Sequence, residues 1–443
     1  MKDMIPKGTG NSRFLRSVSN FKAIYPTYDD FVNALVAGTL PVDFNGINEA
    51  GIQQVGTALN KANLLTDETA ALLGMEQENP TVNEAFRQIS LPQAGTGTLY
   101  VYCKDEAGAP VSGCVVQIGE EMAVTGASGA VKYFLAPGTY SVAIRSPIDY
   151  GVESQTVSVT VALSETVIVN ATVQDSLNGA KELRLTSSVA NAAFSNRVTS
   201  ADVFGVGGGG SGGRSSNTTY PSATGGAGGK TKTVTGLDVR DVFAIIVGSG
   251  GAAVTGSGQP ASAGKAGGTT VVKTVAGETV LSCAGGEGGK ATVSQTGIAG
   301  ASGGSGSGAA IGQWYEENYN GKGFDAGASG FDGSSGGNVH YSNTHYGGSG
   351  QGTTTRAFGE PDGELFASAG ASVGSYGGTY TVIGTHGPGG GDAAASTGAA
   401  IAGSGSTPGS GGGAASSTNT SSVEVTSGAG ADGIVIFRWE VAA

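Results

Sequence analysis

Two short glycine motifs have spacings that could bind phosphate. Residues 205–210 satisfy the dinucleotide pattern G-x-G-x-x-G after an apolar run, but that site needs a helix whose N-terminus faces the pyrophosphate. The next stretch, 211–229, is so rich in glycine and serine that no such helix is expected. Residues 229–231 imitate the end of a P-loop, yet Thr224 stands where its first glycine is required. Neither phosphate site is therefore predicted.

The histidines and carboxylates show no spacing that fixes a catalytic or metal site. His340 and His345 lie among glycine, serine and asparagine, and His386 lies apart, so no helix face joins them. Two carboxyl groups that flank a glycosidic bond suffice to hydrolyse it. Candidates for such a pair are Glu316, Glu317, Asp325, Asp332 and Asp362. Exposed charges are the simpler interpretation, so we expect no enzyme activity, no metal and no cofactor, with glycan hydrolysis as the alternative.

The stretch 313–346 mixes aromatic rings with amides, hydroxyls and glycines, without helical or strand spacing. Rings provide rigid contact area and a face for sugars, whereas amides hydrogen-bond to hydroxyl groups. This mixture predicts a receptor-binding surface, although the same rings could instead pin long loops to a scaffold. The candidate receptor-binding residues are Trp314, Tyr315, Asn318, Tyr319, Asn320, Phe324, Phe331, His340, Tyr341, Asn343, His345 and Tyr346. The aromatic residues that could extend this surface are Phe358, Phe366, Tyr376 and Tyr380.

The overall composition limits the classes of partner. Of 443 residues, 81 are glycine, sparse before residue 200 and crowded after 206, so the architecture must change there. Only 13% are charged, and the net charge of −12 includes no cluster of Lys and Arg, so no nucleic-acid partner is expected. The sequence has no long apolar run and no signal peptide, so we expect neither membrane insertion nor export by the usual route.

The three cysteines are too few and too irregularly spaced for a disulfide framework or a C-x-x-C metal site. We expect Cys103, Cys114 and Cys283 to be buried free thiols. A bridge between Cys103 and Cys114 remains the alternative, because both lie on adjacent predicted strands.

Residues 1–92 are predicted to form short helices and turns that fold on a partner or in an oligomer, because the segment is small and turn-rich. Four segments in order resemble the N-terminal module of tail fibre proteins in phages and prophages of Gram-positive bacteria. They are residues 5–13, 25–28, 41–46 and 59–65. Over residues 1–75 the resemblance implies attachment to phage tail or baseplate proteins. It fits a virion component that is assembled in the host cytoplasm and released by lysis.

Residues 96–174 contain β-branched, partly alternating runs separated by turn residues, which predict a small antiparallel β-sandwich. The runs are 98–103, 111–118, 131–134, 139–144, 156–161 and 166–173. The segments 108–111, 125–129 and 135–140 resemble carboxypeptidase-regulatory-like and prealbumin-type sandwiches. That resemblance implies a spacer or a carbohydrate-adhesion module, and no peptidase activity.

Residues 175–443 are predicted to form a glycine-rich receptor-binding domain. Apolar runs at 203–206, 242–247 and 279–283 each lead into a glycine-rich stretch, and the chain closes with the run 433–439. A flexible linker would lack the apolar runs, and a collagen helix would need strict G-X-Y repetition. Since a residue without Cβ lets extended chains lie side by side, we predict strands with packed polyglycine segments.

This alternation resembles the glycine-rich C-terminal domains of phage tail fibres and adhesins. In some such adhesins polyglycine helices bundle and the loops at one end contact the receptor. The resemblance implies a homotrimer, the usual state of such fibres. The predicted fold is mainly β: a small α-helical attachment module, an antiparallel sandwich spacer, and a domain of strands and polyglycine segments.

The predicted function is that of a phage tail fibre that binds a bacterial surface glycan or protein. The alternatives are a virion-associated glycan depolymerase and a purely structural fibre of a phage-tail-like particle.

Overall fold

The computed structural model describes residues 95–258, 261–293, 298–307, 310, 355–376, 380–384, 386–419 and 423–440. The helical module predicted at 1–92 lies outside these residues. In the described part nearly all regular structure is β, apart from two short 3-10 helices at Ile148–Tyr150 and Ala357–Gly359, so the mainly β fold class is confirmed. No helix in this part is long and apolar enough to cross a membrane.

The sandwich consists of two sheets with strand orders β4-β1-β7 and β3-β2-β5-β6. Its strands are β1 (Gly97–Lys104), β2 (Val115–Ile118), β3 (Glu121–Val124), β4 (Ala130–Leu135), β5 (Gly138–Arg145), β6 (Ser154–Val161) and β7 (Thr166–Thr172). Strand β3 was not predicted, because its sequence Glu-Met-Ala-Val has little β-branched character. β1 and β7 run parallel rather than antiparallel, which the long connection between them allows.

The sandwich core forms where alternate side chains of the two sheets face each other. Leu99, Val101 and Cys103 on β1 are fully buried, as is Val142 on β5. Cys103 and the nearby Cys114 are free thiols, as expected, and so is the buried Cys283.

The glycine-rich part contains many short strands, joined into sheets that include β13-β10-β25-β8 and β17-β16-β14-β9. The strands are β8 (Glu182–Leu185), β9 (Val189–Ala192), β10 (Ser200–Val206), β11 (Arg214–Ser216), β12 (Ser222–Ala223), β13 (Thr231–Asp238), β14 (Phe243–Ile246), β15 (Thr255–Ser257), β16 (Thr270–Thr274), β17 (Thr279–Cys283), β18 (Ala291–Thr292), β19 (Val373–Tyr376), β20 (Tyr380–Ile383), β21 (Ala394–Ser396), β22 (Ala400–Ile401), β23 (Ala415–Ser417), β24 (Glu424–Thr426) and β25 (Ile434–Trp439). The apolar runs predicted as strands at 203–206, 242–247, 279–283 and 433–439 are confirmed.

A polyglycine bundle connects these sheets, and segment 207–213 lies inside it. Every third backbone N–H of this segment donates to the same neighbour: Gly207, Gly210 and Gly213 all donate to segment 224–230, at 2.9 to 3.0 Å. The residues between them donate to segments 262–268 and 428–431. A three-residue period with no hydrogen bond inside the segment is that of a polyproline-II-type helix.

The carbonyl groups of the same segment accept hydrogen bonds from further segments. The donors are Gly251, Gly286, Gly289, Gly412 and Ala415. Segment 207–213 is therefore hydrogen-bonded to six surrounding segments, and its buried backbone groups are paired between segments rather than within one. Segment 409–414 is surrounded in the same way.

Close approach of the backbones explains why the bundle needs glycine. A Cβ atom on Gly210 would lie 2.0 Å from the carbonyl oxygen of Glu287, and one on Gly212 would lie 2.0 Å from that of Gly413. Real Cβ atoms do not approach an oxygen that closely, so larger residues would force the segments apart. The predicted packing of polyglycine segments is confirmed.

A buried carboxylate joins the sandwich to the glycine-rich part. Asp149 accepts hydrogen bonds from the backbone N–H of Ser195 (2.8 Å), from its Oγ (2.5 Å) and from Nε of Arg197 (2.6 Å). Close by, a Cβ on Gly113 would lie 2.2 Å from the carbonyl oxygen of Phe194. The described residues within 98–161 and 166–443 accordingly belong to one compact unit.

Candidate functional site

The receptor-binding residues predicted in the stretch 313–346 lie outside the described residues. Of the four further aromatics, Phe366 is fully buried and packs on Phe204, and Phe358 packs against the same core. Phe366 is thus a core residue rather than part of a recognition surface. Tyr376 and Tyr380 occupy paired register positions on β19 and β20.

One end of the bundle gathers three loops from two distant parts of the sequence. We call it the distal end, where segments 207–213 and 409–414 continue into β11 and β23. There β11, β23 and β21 form a parallel sheet whose register aligns Ser216, Ser417 and Ser396. The loops that follow these three strands, the distal loops, are residues 217–221, 418–419 and 397–399.

Hydrogen bonds tie the distal loops to the ends of neighbouring strands. The backbone N–H of Asn217 donates to the carbonyl of Ser417 (3.0 Å), and that of Thr418 donates to the carbonyl of Ser396 (3.1 Å). Ser216 Oγ donates to the carbonyl of Asn419 (2.6 Å). Ser417 Oγ donates to the carbonyl of Gly398 (2.8 Å), so each of the three loops is hydrogen-bonded to the end of a neighbouring strand.

The loop at 217–221 is also ordered from within. Oδ1 of Asn217 accepts hydrogen bonds from the backbone N–H of Thr219 (2.7 Å) and of Tyr220 (3.1 Å). Asparagine often folds a turn in this way, because its side chain replaces a backbone acceptor. This bonding leaves Thr218 exposed at the tip.

The chemistry of the distal loops is neutral and polar. Their residues are Asn217, Thr218, Thr219, Tyr220, Pro221, Thr397, Gly398, Ala399, Thr418 and Asn419. Hydroxyl and amide groups both donate and accept hydrogen bonds, which suits ligands rich in hydroxyl groups. No group of three metal-ligating side chains occurs among the described residues.

A buried arginine begins the strand that leads to the loop at 217–221. Arg214, the first residue of β11, is only 6% exposed. Its Nε and Nη1 atoms are sealed from solvent and have no hydrogen-bond partner. The guanidinium lies against the backbone of Gly256 on β15, where a Cβ atom would come 2.3 Å from Nη2. Burial lowers the pKa of Arg214, because the charged form is desolvated.

The opposite end of the bundle holds arginines that are paired. Arg438 on β25 stacks over the ring of Phe358 at 3.7 Å, and its Nη1 lies 2.6 Å from Glu360. The hydrogen bond from Arg438 lowers the pKa of the Glu360 carboxyl. Arg184 contacts both Glu182 and Glu364. Arg214 differs from these arginines in having no carboxylate partner in the described part of the chain.

Sequence reasoning missed both Arg214 and the distal loops. A signal was present, since residues 217–221 interrupt a glycine- and serine-rich stretch with Asn-Thr-Thr-Tyr-Pro. The stretch 416–422 carries a similar run of serine, threonine and asparagine. The sequence alone could not show that residues 217–221 and 416–419 lie at the same end of the bundle.

Comparisons with solved structures give only partial matches. The C-terminal domain of the Caf1A usher is 19% identical over 17% of this chain and 94% of its own, with a TM-score of 0.14. A streptococcal ancillary pilin is 10% identical over 34% of this chain and 53% of its own, with a TM-score of 0.17. The Bacillus anthracis TIE protein is 12% identical over 45% and 46%, with a TM-score of 0.18.

Scores of this size carry no argument about fold or function, and this chain spans only about half of the latter two proteins. No curated protein shows significant sequence similarity. Residues 186–440, by contrast, match the sequence profile of a glycine-rich domain. This range contains both central polyglycine segments and the distal loops, and it is more than half of the 443 residues. The chain belongs to the glycine-rich domain family.

Proposed function

We propose that the protein is a non-enzymatic phage tail fibre whose distal loops bind a bacterial surface receptor. The observation that carries the proposal is that three neutral loops are held by hydrogen bonds to neighbouring strand ends at one end of a hydrogen-bonded bundle. Such a body holds its recognition groups in place before binding, which reduces the entropy lost on contact.

The chemistry of the loops favours a glycan receptor. Hydroxyl and amide groups at the tip match the hydroxyl groups of sugars, and Tyr220 is a partly exposed ring beside them. Each contact of this kind is weak, so several copies in a trimer and on one particle would supply avidity. We also propose that residues 1–75 attach to tail or baseplate proteins and that the protein is located in a virion.

Blocking the distal end chemically tests the proposal. The three native cysteines are buried, so a cysteine introduced at an exposed threonine can be coupled selectively to a bulky polymer. Thr397→Cys places the polymer on a distal loop, and Thr235→Cys on β13 is the matched control, since both threonines are exposed. We expect the unmodified protein to bind cells of a susceptible host and polymer at residue 397 to abolish that binding.

Polymer at residue 235 should leave binding unchanged. Equal binding by both conjugates would show that the distal end does not carry recognition. Release of reducing ends from the host surface by the unmodified protein would refute the non-enzymatic part of the proposal.

A further inference from the structure

The contacts within the bundle do not explain why the guanidinium of Arg214 is buried without a hydrogen-bond partner at Nε and Nη1. Every hydrogen-bonding position of Nε and Nη1 is unused, although both atoms are sealed from solvent. Burying a charge without a partner is costly, and proteins normally pair such groups. The other arginines named above, Arg184, Arg197 and Arg438, all contact a carboxylate.

The position of Arg214 places it at the distal end rather than in the middle of the bundle. Its backbone pairs with Ser262 and with Ala415, and its strand β11 leads into the loop at 217–221. The guanidinium lies under β15, an edge strand that pairs only with β24 and whose Thr255 and Ser257 are exposed. A single strand therefore separates the charge from the surface.

We propose that Arg214 binds an oxyanion of the receptor, a carboxylate or a phosphate ester carried by an acidic surface polymer. This inference rests on the proposed function, because it names the ligand chemistry of the same distal end. The planar guanidinium matches both oxyanions with two parallel hydrogen bonds. Because Nε and Nη1 make no hydrogen bond where they lie, neither atom has to give one up when the side chain turns toward an oxyanion.

The surroundings favour an anion from outside the chain. The distal loops contain no acidic residue, and Glu424 on β24, the register partner of Ser257 on β15, makes no ion pair with Arg214 in the described part of the chain. Burial also lowers the pKa of Arg214, and pairing with an anion would reverse that effect.

The test compares three substitutions of similar size. Arg214→Met removes the charge and fills similar space. Arg214→Lys keeps the charge but lacks the planar guanidinium that forms two parallel hydrogen bonds. Arg240→Met removes an exposed charge that pairs with Asp238. Binding of the full chain to polygalacturonate, to poly(glycerol phosphate) and to neutral dextran is measured by calorimetry. We expect wild type and Arg240→Met to bind at least one of the acidic polymers. Arg214→Met should bind about tenfold to a hundredfold more weakly, with Arg214→Lys intermediate.

The two acidic polymers separate a carboxylate source from a phosphate source. Thermal unfolding of the free protein adds a second readout: Arg214→Met should raise Tm, since it removes an unpaired buried charge. Equal polymer binding by wild type and Arg214→Met, or a lower Tm for Arg214→Met, would overturn the inference. If wild type binds host cells but neither acidic polymer, the inference fails alone; if it binds no cells, the proposed function fails.

Discussion

Gly209 and Ser410 touch through their main chains, so that a Cβ atom on Gly209 would lie 2.0 Å from the carbonyl oxygen of Ser410. Neither segment can retreat, because each is hydrogen-bonded to neighbours on all sides. We therefore expect Gly209→Ala to lower the free energy of unfolding by about 3 kcal/mol. Chemical denaturation of the purified chain measures this loss.

The matched control is Gly126→Ala in the sandwich, where no heavy atom lies within 4 Å of the added Cβ. That substitution should change the stability by less than about 1 kcal/mol. Similar losses at both positions would mean that the bundle tolerates side chains and is not closely packed.

Asp149 is expected to hold the sandwich against the glycine-rich part. Its carboxylate is fully buried and accepts three hydrogen bonds from Ser195 and Arg197. Asp149→Ala leaves these donors without a partner and should cost about 3 kcal/mol or more. The exposed pair of Asp238 and Arg240 is the comparison, and Asp238→Ala should not measurably change the denaturation midpoint. An unchanged midpoint for Asp149→Ala would contradict the importance of this junction.

The cysteines should be inert in the folded protein. Cys103 and Cys114 lie close enough to share a hydrogen bond, and the pKa of Cys114 is raised by that contact and by burial. For Cys114 the raised pKa leaves little thiolate to react at neutral pH. The same hydrogen bond lowers the pKa of Cys103, so burial rather than pKa must protect Cys103 from a reagent. We expect no labelling by a thiol reagent at pH 7 in native conditions and labelling of Cys103, Cys114 and Cys283 after denaturation. Rapid labelling of the native chain would show that the hydrophobic cores around these cysteines open readily.

The sequence predicts where strands occur better than it predicts which strands pair with each other. β10, β14 and β17 are recognisable because their apolar runs lead into glycine-rich stretches, and β25 because its apolar run begins directly after Gly433. β3 is not recognisable, since its Glu-Met-Ala-Val sequence pairs with β2 because of the hairpin geometry rather than its own propensity.

The bundle contacts could not be read from the sequence, because the polyglycine segments are nearly alike in composition. Gly412 donates to Gly210 across about two hundred residues of chain, and nothing local specifies that pair. Their register is set by the flanking strands, such as β10 with β25. For the same reason the burial of Arg214 and the meeting of the distal loops became visible only in three dimensions.

Amide hydrogen exchange of the full chain tests the central claim most directly, because the account depends on a hydrogen-bonded bundle that holds the distal loops in place. Peptides covering segments 207–213 and 409–414 should exchange as slowly as the buried strand β25, since their N–H groups are bonded to neighbouring segments. Exchange of these glycines at the rate of an unstructured chain, while β25 stays protected, would contradict the account.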